Sequence, residues 1–272
     1  MLQKPIVRIV LAILVLTVFL GACVLGPMFY DFSFGASDDT AELTVAVSAS
    51  VLPVFERIAD AFEDQYNAEV SLTPGSTEQL AQQIESGAPV DLFVSADLET
   101  IERLDESRWI VSDSISFYAR GSLALWTRDD SDLEITSLDD LTQSDIQRIA
   151  IANPDYAPYG AAVREALQSV GLWDELEDRI ILTQNVRAAQ ETAATGNADV
   201  AIVAVSLAIE AGEGNWVPVS EDLYEPIDQS MAVVVRTTHE DAARTFIEFT
   251  TGPEGRALLE DVGFDVDQRD AP

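Results

Sequence analysis

Residues 148–165 read RIAIANPDYAPYGAAVRE, and this stretch decides the fold class. Ile149 to Ala152 is an unbroken apolar run, as expected for a strand buried on both faces. Pro154 to Gly160 interrupts it, and Val163, Ala166, Leu167 and Val170 then recur at helical spacing. The stretch therefore predicts a strand that runs through a turn into a helix.

The same grammar occurs at three other places. LTVAV (Leu43 to Val47) enters Ser48-Ala49-Ser50 and a helix with Phe55, Ile58, Ala59 and Phe62 on one face. EVSLTP (Glu69 to Pro74) enters Gly75-Ser76-Thr77 and a helix with Leu80, Ala81 and Ile84. RIILTQ (Arg179 to Gln184) enters Asn185-Val186-Arg187 and a helix that ends near Gly196. Strands alternating with amphipathic helices predict an α/β protein with parallel strands. In such sheets ligands bind beyond the carboxyl ends of the strands, where helix starts offer unpaired N–H groups and a partial positive charge. Four such ends converging on one anion is one reading. Ser50, Thr77 and Asn185 as ordinary helix caps is the other.

Two further apolar strands, SLALWTR (Ser122 to Arg128) and SMAVVVR (Ser230 to Arg236), read as neighbouring crossover strands. They divide the chain into a discontinuous first lobe, 43–121 plus 235–272, and a second lobe, 122–234. Two helices broken at Gly252-Pro253 close the chain.

The N-terminus has signal-peptide grammar: Lys4 and Arg8, an apolar run from Ile6 to Leu20, then Leu20-Gly21-Ala22-Cys23. Residues 1–22 read as a signal ending in a lipobox, Cys23 as a lipid-anchor site, and 23–42 as an acidic tether. Cys23 is the only cysteine, which excludes an internal disulfide. An uncleaved anchor through Phe29 remains the alternative. Both readings place the folded part on the outer face of the cytoplasmic membrane.

With 15 basic and 48 acidic residues, the formal charge is -33. Lys4 is the only lysine. Such a surface repels phosphate, so nucleic acid and anionic lipid are not expected partners. It resembles the surface of proteins from high-salt surroundings. One histidine, His239, one cysteine, and no P-loop leave no nucleophile pair or metal cluster, so catalysis and cofactors are not expected. Tyr118, Trp126 and Trp216 are expected in packing rather than in a protein interface.

Four segments, SASVLPVFERIADAF, GSTEQLAQQIESGAPVDLFVSAD, ANPDYAPYGAAVREALQSVGLWDEL and QNVRAAQETAATGNADVAIVAVSLA, in this order resemble the periplasmic molybdate-binding proteins of ABC importers. The similarity spans Leu43 to Phe264, and GAPVDLFVSAD with NPDYAPYG is its specific part. It implies a two-lobed Venus-flytrap fold of the type II periplasmic binding protein class. Each lobe would be a mostly parallel sheet flanked by helices, with two crossover hinge strands. A molybdate or tungstate ion would be held between the lobes by neutral donors, with no metal besides the oxyanion's own. Another oxyanion, such as sulfate or phosphate, is the alternative ligand. The partners implied are an importer permease and its ATPase, with the chain itself a monomer.

Carried onto this sequence, the family's donors fall on the Ser50 and Thr77 hydroxyls and the Tyr159 and Val186 backbone N–H groups. In some relatives a strand tyrosine supplies a further hydroxyl, but Ala204 stands there in this chain. Ser76, Ser206 or the Ala204 backbone are the additional candidates. A carboxylate in the pocket would favour protonated phosphate. Asp155 is the acid nearest a predicted anion turn, and is expected to brace that turn, while Asp97 is expected to cap a helix.

Overall fold

The computed structural model describes residues 40–267. The lipobox, Cys23 and the tether up to Asp39 lie outside the described residues. Among the described residues, no helix is long and apolar enough to cross a membrane.

Two five-stranded mixed sheets organise the described residues. The first contains β1 (Ala41–Ser48), β2 (Ala68–Gly75), β3 (Leu92–Val94), β4 (Ser116–Gly121) and β10 (Ile227–Val233), in the order β2-β1-β3-β10-β4. The second contains β5 (Leu123–Thr127), β6 (Ile149–Ala152), β7 (Ile180–Thr183), β8 (Val200–Ala204) and β9 (Asn215–Pro218), in the order β7-β6-β8-β5-β9. In each sheet the first three strands of this order pair in parallel and the last two pair antiparallel.

Helices cover both faces of the first sheet: α1 (Leu52–Glu63), α2 (Thr77–Glu85), α3 (Glu99–Glu106), α8 (Glu240–Thr251) and α9 (Pro253–Asp261). Alternation along the strands assigns each residue to one face. Val45 and Val47 pack with Phe55, Phe62 and Phe246, whereas Ala46 and Phe93 pack with Leu80, Ile84 and Ile101. Phe62 anchors the first face, with its ring 5.1 Å from Phe246 and 4.5 Å from Tyr66. The second sheet carries α4 (Pro158–Ser169), α5 (Trp173–Leu176), α6 (Val186–Ala194) and α7 (Val205–Glu210) around a core of Trp126, Ile151, Val163, Leu167 and Val203.

The sheet order corrects two expectations. The strands around 122–128 and 230–236 are not neighbours: β5 lies between β8 and β9, and β10 between β3 and β4. The chain therefore crosses outward between Gly121 and Leu123 and returns between Pro218 and Ile227, so the boundary read at 234/235 falls too late. The apolar run that marked the return strand begins three residues after the strand does, because Ile227, Asp228 and Gln229 pair with Gly121, Arg120 and Ala119 before a register shift at Ser230. The ordered strand also begins at Ala41, inside the stretch read as tether.

Candidate functional site

The four strand-to-helix junctions meet between the sheets around a small cavity of about 10 Å³. That is far below the roughly 300–1,000 Å³ usual for drug-sized organic ligands. The first lobe contributes Ser48, Ala49, Ser50, Gly75, Ser76 and Thr77, and the second contributes Ala157, Pro158, Tyr159, Asn185 and Val186. Every lining residue is neutral, in a chain of charge -33. Ser50, Thr77, Tyr159 and Val186, the four residues the sequence pointed to, all line it and all are buried.

Each candidate donor is held by its local structure. Pro158 opens α4 and has no N–H, so Tyr159 supplies the first donor of that helix. Gly160 lets α4 sit close against β6, since a Cβ there would lie 2.3 Å from the Ala152 carbonyl oxygen. At α6, Asn185 is a true cap whose side chain accepts from Ala188 N at 2.9 Å. Val186 is the first residue of that helix, where helix geometry gives an N–H no partner within the helix.

The hydroxyls keep protons available. Thr77 Oγ1 accepts from Ala96 N at 3.2 Å, which occupies a lone pair and leaves its own proton to donate. Ser48 Oγ and Ser50 Oγ lie 3.1 Å apart and share one proton, leaving the other to donate. Ser48 was missed in the sequence; its position two residues before Ser50 at a strand end was the available signal. Ser76 Oγ is the one buried side-chain polar atom without a partner among the described residues.

Two of the additional candidates lie elsewhere. Neither Ala204 nor Ser206 lines the cavity. The Ser206 hydroxyl donates instead to the Ser50 carbonyl, at 3.3 Å, across the two lobes. Other contacts cross with it: Glu78 N donates to Tyr156 O at 3.2 Å, and Arg57 Nη1 meets Glu210 Oε1 at 3.3 Å. The lobes are closed on one another.

Behind the site, Tyr159 Oη accepts from Gln229 Nε2 at 3.0 Å, and Tyr118 Oη lies 2.9 Å from both Gln229 Oε1 and Ser95 O. Burial pushes both phenols well above the ordinary tyrosine range, so both stay neutral. Gly121 makes room for this cluster at the outward crossover, since a Cβ there would fall 2.0 Å from Tyr159 Oη.

Carboxylates line a neighbouring recess that shares Ala157 and Pro158 with the cavity. Glu78, Asp97, Glu99 and Asp155 line a larger recess between the lobes, together with Arg103. Burial raises the Asp97 pKa against hydrogen bonds that lower it, one of them from Thr100 N at 2.8 Å in the first turn of α3. Asp155 is largely exposed and lies 3.6 Å from Arg164. Asp91 sits away from the cavity, accepting from Thr44 N at 2.8 Å and facing His239 Nδ1 at 3.3 Å. No group of three or more metal-ligating side chains occurs among the described residues.

A family model described as bacterial extracellular solute-binding protein matches residues 43–265. The molybdate-binding protein ModA of Rhodobacter capsulatus is 34% identical over 225 residues, 82% of this chain and 88% of that protein. A putative ABC transporter substrate-binding lipoprotein of Bacillus subtilis, YvgL, is 28% identical over 84% of this chain and 88% of its own length. Among solved structures, the periplasmic molybdate-binding protein of Azotobacter vinelandii matches with a TM-score of 0.80 at 31% identity, covering 83% of this chain and 100% of that one. These matches run through both sheets and every segment that lines the cavity, and on them the chain belongs to the bacterial extracellular solute-binding protein family.

Proposed function

We propose that this protein binds molybdate or tungstate in the closed cavity and delivers it to an ABC importer, whose permease and ATPase are its partners. The observation that carries the reading is the lining itself: hydroxyls and helix starts from both lobes around a small cavity with no charged side chain. A tetrahedral dianion accepts from every direction, and charge-assisted bonds from neutral donors offset its lost hydration. Monohydrogen phosphate also carries a proton that a buried carboxylate would accept, and no carboxylate lines the cavity. Sulfate is discriminated by its smaller size.

The donors are the Ser50 and Thr77 hydroxyls and the Tyr159 and Val186 N–H groups. Two sit on each lobe, so the ion stabilises closure, and the closed form is the state the permease would recognise. Cys23 would hold the monomer at the outer face of the cytoplasmic membrane by a lipid, and mass spectrometry of the mature N-terminus tests that anchor. Calorimetric titration of the purified full chain with molybdate, tungstate, sulfate and phosphate tests the ligand. Tight binding of the first two over the others is expected, and no heat or thermal stabilisation from any oxyanion would sink the reading.

A further inference from the structure

We propose that the Ser76 hydroxyl donates directly to the bound oxyanion, as a donor additional to the four assigned above. The inference rests on the oxyanion reading and deepens it.

Ser76 occupies the position before the first residue of α2, with φ -75° and ψ 148°. A serine there ordinarily turns its oxygen back to accept from an N–H of the first turn. Here that bond is not made. The job has been taken over from the opposite lobe, because Glu78 N, the second N–H of the helix, donates to the Tyr156 carbonyl at 3.2 Å. The serine oxygen is thereby released from capping while remaining 2% exposed.

A buried hydroxyl with no partner is an unfavourable arrangement that folded proteins rarely retain without a reason. Ser76 lines the anion cavity, where an acceptor is the missing partner. The neighbouring hydroxyls provide the contrast: Ser48 and Ser50 are bonded to each other, and Thr77 accepts from Ala96 N. Their protein bonds help to hold the loops, whereas the Ser76 hydroxyl makes none. Its donor role also supplies a hydroxyl where Ala204 has none to offer, and Ser206 is committed to the Ser50 carbonyl.

The test is Ser76→Ala in the purified full chain, titrated with molybdate beside the wild type, with the melting temperature of the ligand-free protein measured for both. A hydrogen bond to a charged group predicts affinity weaker by about 10- to 150-fold. The ligand-free melting temperature should be unchanged or slightly raised, since the hydroxyl bonds to nothing in the protein. Equal affinity in variant and wild type would overturn the role of Ser76 and leave the oxyanion reading intact. A fall in the ligand-free melting temperature would also overturn it, because that is the signature of a lost helix cap. A wild type that binds no oxyanion would overturn both.

Discussion

Thr77→Val removes one hydroxyl and keeps the volume and branching of the side chain, and it should produce two separable losses. In the ligand-free protein the Thr77 oxygen accepts from Ala96 N at 3.2 Å in a buried setting. Valine leaves that N–H without a partner, at a cost of about 1–3 kcal/mol. The same oxygen carries the proton proposed to reach the anion, and losing a hydrogen bond to a charged group costs about 1.5–3 kcal/mol in binding. Denaturant unfolding without ligand should therefore show a lower midpoint at constant slope. Calorimetry should show molybdate binding weakened by roughly 10- to 150-fold. Thr77→Ser retains both bonds and should restore most of each. Thr77→Val with unchanged affinity but lowered stability would mean the hydroxyl serves only Ala96, and the donor assignment at this position would be wrong. Unchanged stability would refute the account of how that hydroxyl is held.

Other outcomes follow from charges away from the donors. Added sodium chloride should raise both the association rate and the affinity for molybdate, since screening weakens repulsion by a chain of net charge -33; stopped-flow measurements showing a fall with salt would contradict this. Glu210→Gln removes the cross-lobe partner of Arg57 while Arg57 keeps Asp261 at 2.8 Å. Ligand dissociation should quicken by no more than about fivefold, as befits a partly exposed pair, and a larger effect would mean this contact dominates closure. Asp199 is partly buried, which raises its pKa, but bonds from Gln147 N, the Arg148 side chain and Arg148 N outweigh this and hold it below the usual range. Its stabilisation is present above the unfolded value of about 3.9 and is lost as pH falls through the folded value. Asp199→Asn should therefore lower the melting temperature at pH 7 and converge with wild type in acid; equal melting temperatures at pH 7 would refute it.

The sequence made the four strand-to-helix junctions legible because their strands are short apolar runs followed by turn residues, and each of those segments reaches the cavity. Strands β4 and β9 were not legible. SFYARG alternates imperfectly beside the register shift at Ser230, and NWVP is largely exposed, so neither carries the buried-strand signal. The crossover boundary failed for a related reason: Asp228 and Gln229 look like loop residues, yet Asp228 pairs with Arg120 and Gln229 bonds both buried tyrosines. Among the residues that line the cavity, Ser50, Thr77, Tyr159 and Val186 were reachable by resemblance. The state of Ser76 was not, because a serine before a helix reads equally well as a cap. Only the arrival of the Tyr156 carbonyl from a segment 78 residues away separates the two.

An acidic protein that takes up an anion without a cationic side chain in its cavity has a physical rationale in selectivity. A buried arginine would attract any anion, chloride included, through a charge that acts at a distance. Neutral donors act only at contact and only along fixed directions. Those on two lobes around one small cavity are all satisfied by an ion that presents oxygens in several directions at once. A monatomic ion reaches some of them and leaves the rest buried and unpaired, at about 1–3 kcal/mol each. Long-range repulsion from the acidic surface is screened within about 10 Å at 0.1 M salt, whereas hydrogen bonds made inside the closed cavity are screened much less. Raising the ionic strength thus removes the unfavourable part of the electrostatics and spares the favourable part, so the protein's acidity and its preference for an anion are compatible.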